Sequence, residues 1–116
     1  MFSGGSDVKQ MLERFMSRYG SRMVWLHDGK TESVQGFFQP VTSRSWQKLK
    51  REVFPLGQIP TGMYVYIGPE RYPVREGDFL KVGDTEYVLR RAEVIYHRDG
   101  PLYRWAVCAR KGNEEV

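Results

Sequence analysis

The residue types that commonly carry catalytic or metal-binding chemistry are scarce in this sequence. The two histidines, His27 and His97, each stand beside a turn that contains Asp and Gly. Catalysis or metal binding needs a histidine that converges with other reactive groups, whereas a turn position favours a solvated side chain. Cys108, the only cysteine, lies in the apolar segment WAVCA, which predicts a buried and unreactive thiol. We therefore expect solvated turn histidines and a structural cysteine.

Neither the glycines nor the acidic residues add a stronger catalytic signal. The sequence contains neither the GxxxxGK nor the GxGxxG spacing that cradles phosphates at the start of a helix. The acidic residues of the second half cluster around predicted turns, where carboxylates commonly accept backbone hydrogen bonds: Glu70, Glu76, Asp78, Asp84 and Glu86. We expect a protein that is not an enzyme, with no catalytic residues, no metal and no cofactor.

A long segment between two predicted strands, residues 41–62, carries the first feature that suggests a contact surface. It combines basic residues with an aromatic ring, has no acidic residue before Glu52, and fits neither strand nor helix periodicity. Such a loop could contact a nucleic-acid backbone, or it could be a solvated loop anchored to the core by its tryptophan. The candidate residues for contact with a DNA channel or a partner are Arg44, Trp46, Lys48, Lys50 and Arg51.

A second basic and aromatic set lies on the predicted C-terminal strands. Arginine and aromatic side chains on adjacent strands are typical of sheets that bind single-stranded nucleic acid, and also of protein interfaces. An exposed sheet edge would allow strand pairing between subunits as well. The residues of this set are Arg90, Arg91, Tyr96, Arg98, Tyr103, Arg104 and Trp105.

Size and composition predict one small, soluble domain that is located in the cytosol after synthesis. A chain of 116 residues with 41% apolar residues fits a single core spanning residues 1–116. The lone cysteine indicates a reducing compartment, and the N-terminus lacks the apolar region of a secretory signal. No apolar run is long enough to cross a membrane. The formal net charge of +4 is consistent with contact to nucleic acid or to an acidic protein.

One helix is predicted, over residues 6–19. Ser6 is a suitable N-cap, and Gly20 supplies a left-handed end. Apolar residues recur between them at spacings of three and four, and we expect this stripe to pack on a sheet: Val8, Met11, Leu12, Phe15, Met16 and Tyr19.

The remainder, residues 21–110, shows the alternation and turn residues of β-structure. Asp28-Gly29 predicts a hairpin, while Gly83-Asp84 and Asp99-Gly100 predict a three-stranded meander. In MYVYIG both faces are apolar, as expected for a strand covered inside the sheet and by a helix or a neighbouring subunit outside. The predicted fold is mainly β: a small antiparallel β-barrel or sandwich with one N-terminal α-helix and a long loop.

The ordered segments FFQPVTSRSW, PLGQIPTGMYVYIGP, VREGDFLKVGDTEYVLRRAEVIY and YRWAV carry a family resemblance. Together they resemble the head-closure and head-tail connector, or neck, proteins of tailed phages and prophages of Gram-positive bacteria. The resemblance covers residues 20–110. Its most specific part is the phrase made by Gly77, Asp78, Leu80, Gly83 and Tyr87, with Leu89 following Val88.

This resemblance implies a small β-barrel assembled as a ring in the neck of the virion, around the channel through which DNA passes. The implied partners are neighbouring copies in the ring, the portal or connector, tail proteins and, without sequence specificity, DNA. Residues 41–62 would be the loop that projects toward the channel, and the particle would assemble in the bacterial host cytoplasm. A tail-completion or baseplate component, or an OB-like module that binds single-stranded nucleic acid, remains the alternative.

Overall fold

The computed structural model describes residues 4–41, 62–98 and 100–112 of the chain. One helix precedes six strands: α1 Gly4–Tyr19, β1 Ser21–His27, β2 Lys30–Pro40, β3 Tyr64–Pro69, β4 Phe79–Val82, β5 Thr85–His97 and β6 Gly100–Arg110.

The six strands form a closed barrel in the order β1-β2-β3-β6-β5-β4, with every neighbouring pair antiparallel. Two meanders, β1-β2-β3 and β4-β5-β6, are joined through the pairs β3-β6 and β1-β4. The predicted mainly β fold with an N-terminal helix is confirmed. Of the two predicted architectures, the structure has the closed barrel and not the sandwich.

At two of the three predicted turns, Asp28-Gly29 and Gly83-Asp84, the strands join as expected, but Gly100, predicted as a turn residue, is the first residue of β6. Asp28 and Gly29 have φ values of 50° and 75°, so both central residues adopt the left-handed conformation that suits a two-residue hairpin. Gly83, at φ 62°, opens the turn between β4 and β5. The pairing of His97 with Gly100 joins β5 to β6; Asp99 itself lies outside the described residues.

The side chains on the two faces of the sheet form two apolar clusters, as predicted from the apolar residues on both faces of β3. One cluster fills the barrel: Met23, Trp25, Val34, Tyr66, Val74, Leu80, Tyr87, Leu89, Ala106 and Cys108. The other lies between the outer face of the barrel and α1: Met16, Val41, Val65, Tyr103, Trp105 and Val107. Burial on both faces explains why β3 is apolar throughout and why β6 is apolar from Trp105 to Ala109.

Helix α1 begins at Gly4, two residues before the predicted start, so Ser6 lies within its first turn and is not its N-cap. A difference of this size is usual at helix ends. The helix docks through Met16, which is 1% exposed. Two ion pairs tie its outer side to the chain after β3: Lys9 with Glu70 at 2.8 Å, and Glu13 with Arg71 at 2.7 Å.

The barrel has two ends, which carry different features. The hairpin end holds the β1-β2 turn at Asp28-Gly29 and the connection from β5 to β6. The loop end holds Val41 and Gly62, the described residues on either side of segment 42–61.

Candidate assembly surfaces

The residues predicted to contact DNA or a partner lie outside the described residues, and their role stays a prediction: Arg44, Trp46, Lys48, Lys50 and Arg51. The structure does place the two points where their segment joins the barrel. Pro40 pairs with Tyr64, and the Val41 amide donates to the Met63 carbonyl at 3.0 Å. Residues 42–61 therefore connect two adjacent antiparallel strands, and both of their attachment points lie at the loop end.

Three aromatic rings pack inside the barrel at this loop end. The Phe38 ring stacks on Tyr64 with centroids 5.3 Å apart, and Tyr87 lies 4.6 Å from Phe38 and 4.8 Å from Tyr64. The Tyr64 hydroxyl accepts a long hydrogen bond of 3.5 Å from the exposed Arg110. The basic segment thus attaches beside these three packed rings, called here the aromatic floor, and Arg110 adds an exposed cation next to them.

Helix α1 presents a second apolar stripe to solvent, so the prediction that its whole apolar face packs on the sheet is wrong. Met11, Phe15 and Tyr19 are 56%, 51% and 62% exposed and follow one another at intervals of four. Phe15 lies 4.9 Å from Tyr19 and 5.6 Å from Phe37, which continues the stripe onto β2. The apolar residues form two neighbouring stripes, and only the stripe of Met16 faces the barrel.

The predicted basic and aromatic surface on the C-terminal strands is largely closed. Tyr103 and Trp105 are 8% and 0% exposed. The guanidinium of Arg91 lies 5.5 Å from the Trp105 ring centre, and Arg104 donates to the Glu70 carbonyl at 2.8 Å. Of the aromatic residues in this set only Tyr96, 68% exposed, is open to a partner. Burial of the other two removes the stacking rings that a nucleic-acid platform on this face would need.

The prediction of solvated turn histidines is wrong: His97 is partly buried, and the side chain of His27 is only 18% exposed. Its ring stacks on the buried Trp25 at 3.7 Å between centroids, and its Nε2 lies 3.6 Å from a Glu32 oxygen. Cys108 is buried as predicted, and this burial raises the pKa of its thiol. Within the described ranges, no three His, Cys, Asp or Glu side chains converge in a way that could hold a metal ion.

A cleft of about 630 Å³ opens at the hairpin end between the β1-β2 turn and residues 75–79. Two of its three acidic residues, Asp78 and Asp28, have structural partners, and the third, Glu76, is exposed. Asp78 is 8% exposed and accepts hydrogen bonds from Trp25 Nε1 at 2.9 Å and from the Arg75 amide at 3.0 Å. Asp28 pairs with the Arg75 guanidinium at 3.1 Å. These contacts hold the walls of the cleft together, so the carboxylates of Asp78 and Asp28 serve the fold.

The sequence phrase that carries the family resemblance describes the closure of the barrel. Gly77 adopts φ 93°, and Asp78 joins the chain before β4 to Trp25 in β1. Leu80, Tyr87 and Leu89 project into the barrel. The residues of this sequence phrase therefore join β4 to β1, which closes the barrel, and fill its interior from β4 and β5.

No helix in the described part of the chain is long and apolar enough to cross a bilayer. Comparison of the chain with protein-family models, curated proteins and solved structures finds no match.

Proposed function

We propose that this chain is a structural protein of the phage neck, which forms a ring that joins or closes the head-tail connector around the DNA channel. The observation that carries the proposal is the loop end, where a basic segment of twenty residues, 42–61, connects two adjacent strands of a closed barrel. A rigid barrel can hold such a segment at a fixed position in an assembly while the segment contacts its neighbours.

The loop end would face the channel, with Arg44, Lys48, Lys50 and Arg51 opposite the DNA backbone. Phosphate contacts of this kind carry no sequence information, so DNA would pass without being read. Arg110, exposed beside the aromatic floor, adds a cation at the same end of the barrel.

The exposed stripe of Met11, Phe15 and Tyr19 supplies a surface for a protein partner in the neck. Contiguous exposed apolar side chains on a small protein commonly mark an interface, and aromatic residues and methionine are enriched in interface cores. The stripe lies on the outside of the barrel, so it can contact another ring while the loop end faces DNA.

Removal of this chain from the phage or prophage that encodes it tests the proposed function. We expect DNA-filled heads and free tails that fail to join, and recovery of joined particles when the wild-type chain is supplied in trans. Normal infectious particles without the chain would contradict the proposal. Complete heads with shortened or unfinished tails would instead favour the tail-completion or baseplate alternative.

An OB-like single-strand binding module is the second candidate from the sequence, and the burial of Tyr103 and Trp105 removes most of its support. It predicts oligonucleotide binding by the isolated monomer that weakens steeply with salt. Fluorescence anisotropy with a labelled oligonucleotide, across a range of salt concentrations, separates it from the neck function.

A further inference from the structure

Among the described residues, two strands of the barrel each have a stretch at the hairpin end that pairs on one side only. β5 pairs with β4 only through residues 85–88, and β2 pairs with β3 only through residues 37–40. Within the described ranges, residues 91–97 of β5 are therefore paired with β6 alone, and residues 30–36 of β2 with β1 alone. Open edges of this kind are sites where another strand can add.

The backbone groups that β5 presents at its open edge follow from its register. Leu89 exchanges hydrogen bonds with Gly77 and Asp78 on the β4 side, so its backbone points away from β6. Along an antiparallel pair of strands, residue pairs that exchange backbone hydrogen bonds alternate with pairs that do not. The bulge between Leu89 and Arg91 adds one residue to β5, so beyond it the alternation between β5 and β6 is shifted by one residue. The amides and carbonyls of Ala92 and Val94 thus point to the open edge.

The same alternation identifies the open groups of β2. The two-residue turn makes His27 and Lys30 the bonded pair that closes the β1-β2 hairpin. Thr31 and Ser33 then point their amides and carbonyls away from β1, toward the open edge, and both side chains are exposed.

The two open edges are arranged to meet between copies of the chain. β2 and β5 stand three strands apart in the six-stranded barrel, hence on opposite walls, and they run in opposite directions. Both open segments lie at the hairpin end. The open edge of β2 is on its β3 side and that of β5 is on its β4 side, so both edges point in the same rotational direction around the barrel. A second copy placed beside the first in the same orientation therefore brings its β2 edge antiparallel to the β5 edge of the first.

Charge selects one register for this pairing. With Ala92 opposite Thr31, Arg91 stands opposite Glu32 and Glu93 opposite Lys30. All four are exposed. Within one copy, Arg91 pairs with Glu93 at 3.0 Å and also lies over the Trp105 ring, and Glu32 lies 3.6 Å from His27. Opposite charges across strands stabilise a pair, and like charges oppose it. A shift by two residues, with Ala92 opposite Ser33, would place Glu93 against Glu32.

We propose that β5 of one copy adds to β2 of the next, with Ala92 opposite Thr31, as the contact that joins neighbouring subunits. The inference rests on the proposed ring and names the strands that would build it. Because two different edges meet, the contact is head-to-tail, and its repetition closes a ring or extends a filament.

Cysteine cross-linking tests the register directly. Glu93 and Lys30 would form a non-bonded pair with Cα atoms about 4.5 Å apart, a separation that a disulfide spans. On mild oxidation, a mixture of the Glu93→Cys and Lys30→Cys variants should form a disulfide heterodimer, and the double variant a ladder of larger species. Ser33→Cys mixed with Glu93→Cys is the matched control: Ser33 projects from the other face of the sheet, so it should not cross-link.

Charge exchange gives an independent readout by analytical ultracentrifugation. Arg91→Glu should shift assembly to higher protein concentration, and adding Glu32→Arg in the same chain should restore it. Faster cross-linking of Glu93→Cys with itself than with Lys30→Cys would overturn the head-to-tail contact in favour of β5 pairing with β5. A chain that stays monomeric and uncross-linked would also overturn the strand pairing. An oligomer with no cross-link would overturn the pairing while leaving the ring itself in place, built on another surface.

Discussion

Trp25 and Asp78, 53 residues apart in the chain, are joined inside the protein by a hydrogen bond of 2.9 Å from the indole Nε1 to a carboxylate oxygen. The same oxygen accepts the Arg75 amide at 3.0 Å. One buried carboxylate thereby fixes the chain that enters β4 against β1, the pair of strands that closes the barrel.

Replacement of Asp78 by Ala should destabilise the barrel strongly, because it leaves the Trp25 indole and the Arg75 amide without their acceptor. A buried group deprived of its partner costs about 1–3 kcal/mol, and we expect the upper part of this range in urea unfolding. Asp28→Asn is the matched control: it removes the charge that pairs with Arg75, keeps a residue that tolerates the left-handed conformation of position 28, and should cost about 0.5 kcal/mol or less. Equal losses from the two variants would mean that Asp78 does not hold the closure.

Alkaline pH should destabilise the protein through the buried thiol of Cys108. Burial raises the pKa of this thiol, so the folded state keeps a proton that the unfolded chain releases above its ordinary pKa near 9. The unfolded state then binds fewer protons, and the free energy of unfolding falls as pH rises, by up to about 1.4 kcal/mol per pH unit.

Urea unfolding between pH 8 and pH 10 measures this effect, with Cys108→Ala as the comparison. The wild type should lose more stability over this interval than the variant, because the alanine has no thiol to ionise. In the native state at pH 8, alkylating reagents should also react slowly with Cys108. Rapid labelling without loss of fold would show that the thiol is accessible.

The two apolar stripes of α1 should respond differently to substitution. Met11→Gln with Tyr19→Gln changes only exposed side chains, so the melting temperature should stay nearly unchanged while association with the proposed protein partner weakens. Met16→Ala removes a buried side chain and should cost about 2–5 kcal/mol. Unchanged association of the double variant, measured by co-sedimentation with assembled particles, would assign the exposed stripe no role in assembly.

The basic residues of segment 42–61 should matter for the particle more than for the fold. Changing Arg44, Lys48, Lys50 and Arg51 together to Ser should leave the melting temperature of the isolated chain nearly unchanged, because exposed charges contribute little to folding. Particle assembly or genome retention should fall. Unfolding of the variant would place the segment in the core, and normal assembly with normal DNA retention would place the functional surface elsewhere.

Much of the barrel could be predicted from sequence because its signals are local. Asp28-Gly29 and Gly83-Asp84 mark the turns, and the alternation in MYVYIG indicates a strand buried on both faces. These patterns act over a few residues, which is the range that a single sequence displays.

The surfaces were harder to predict because exposure depends on contacts between distant residues. The stripe of Phe15 reads like that of Met16 in the sequence, and only the docking angle of the helix decides which one is buried. Trp105 likewise reads as a stacking ring, but it becomes inaccessible once α1 and Arg91 cover its face of the sheet. Asp78 resembled an ordinary turn residue because its partner Trp25 lies in another meander.

The position of this chain in an intact particle tests the central claim most directly. We predict that a cryo-electron microscopy reconstruction of the head-tail junction contains a ring of six-stranded barrels around the DNA, with the loop end of each barrel turned toward the channel. A reconstruction in which the barrel occupies the baseplate, or in which no copy lies at the junction, would contradict the account.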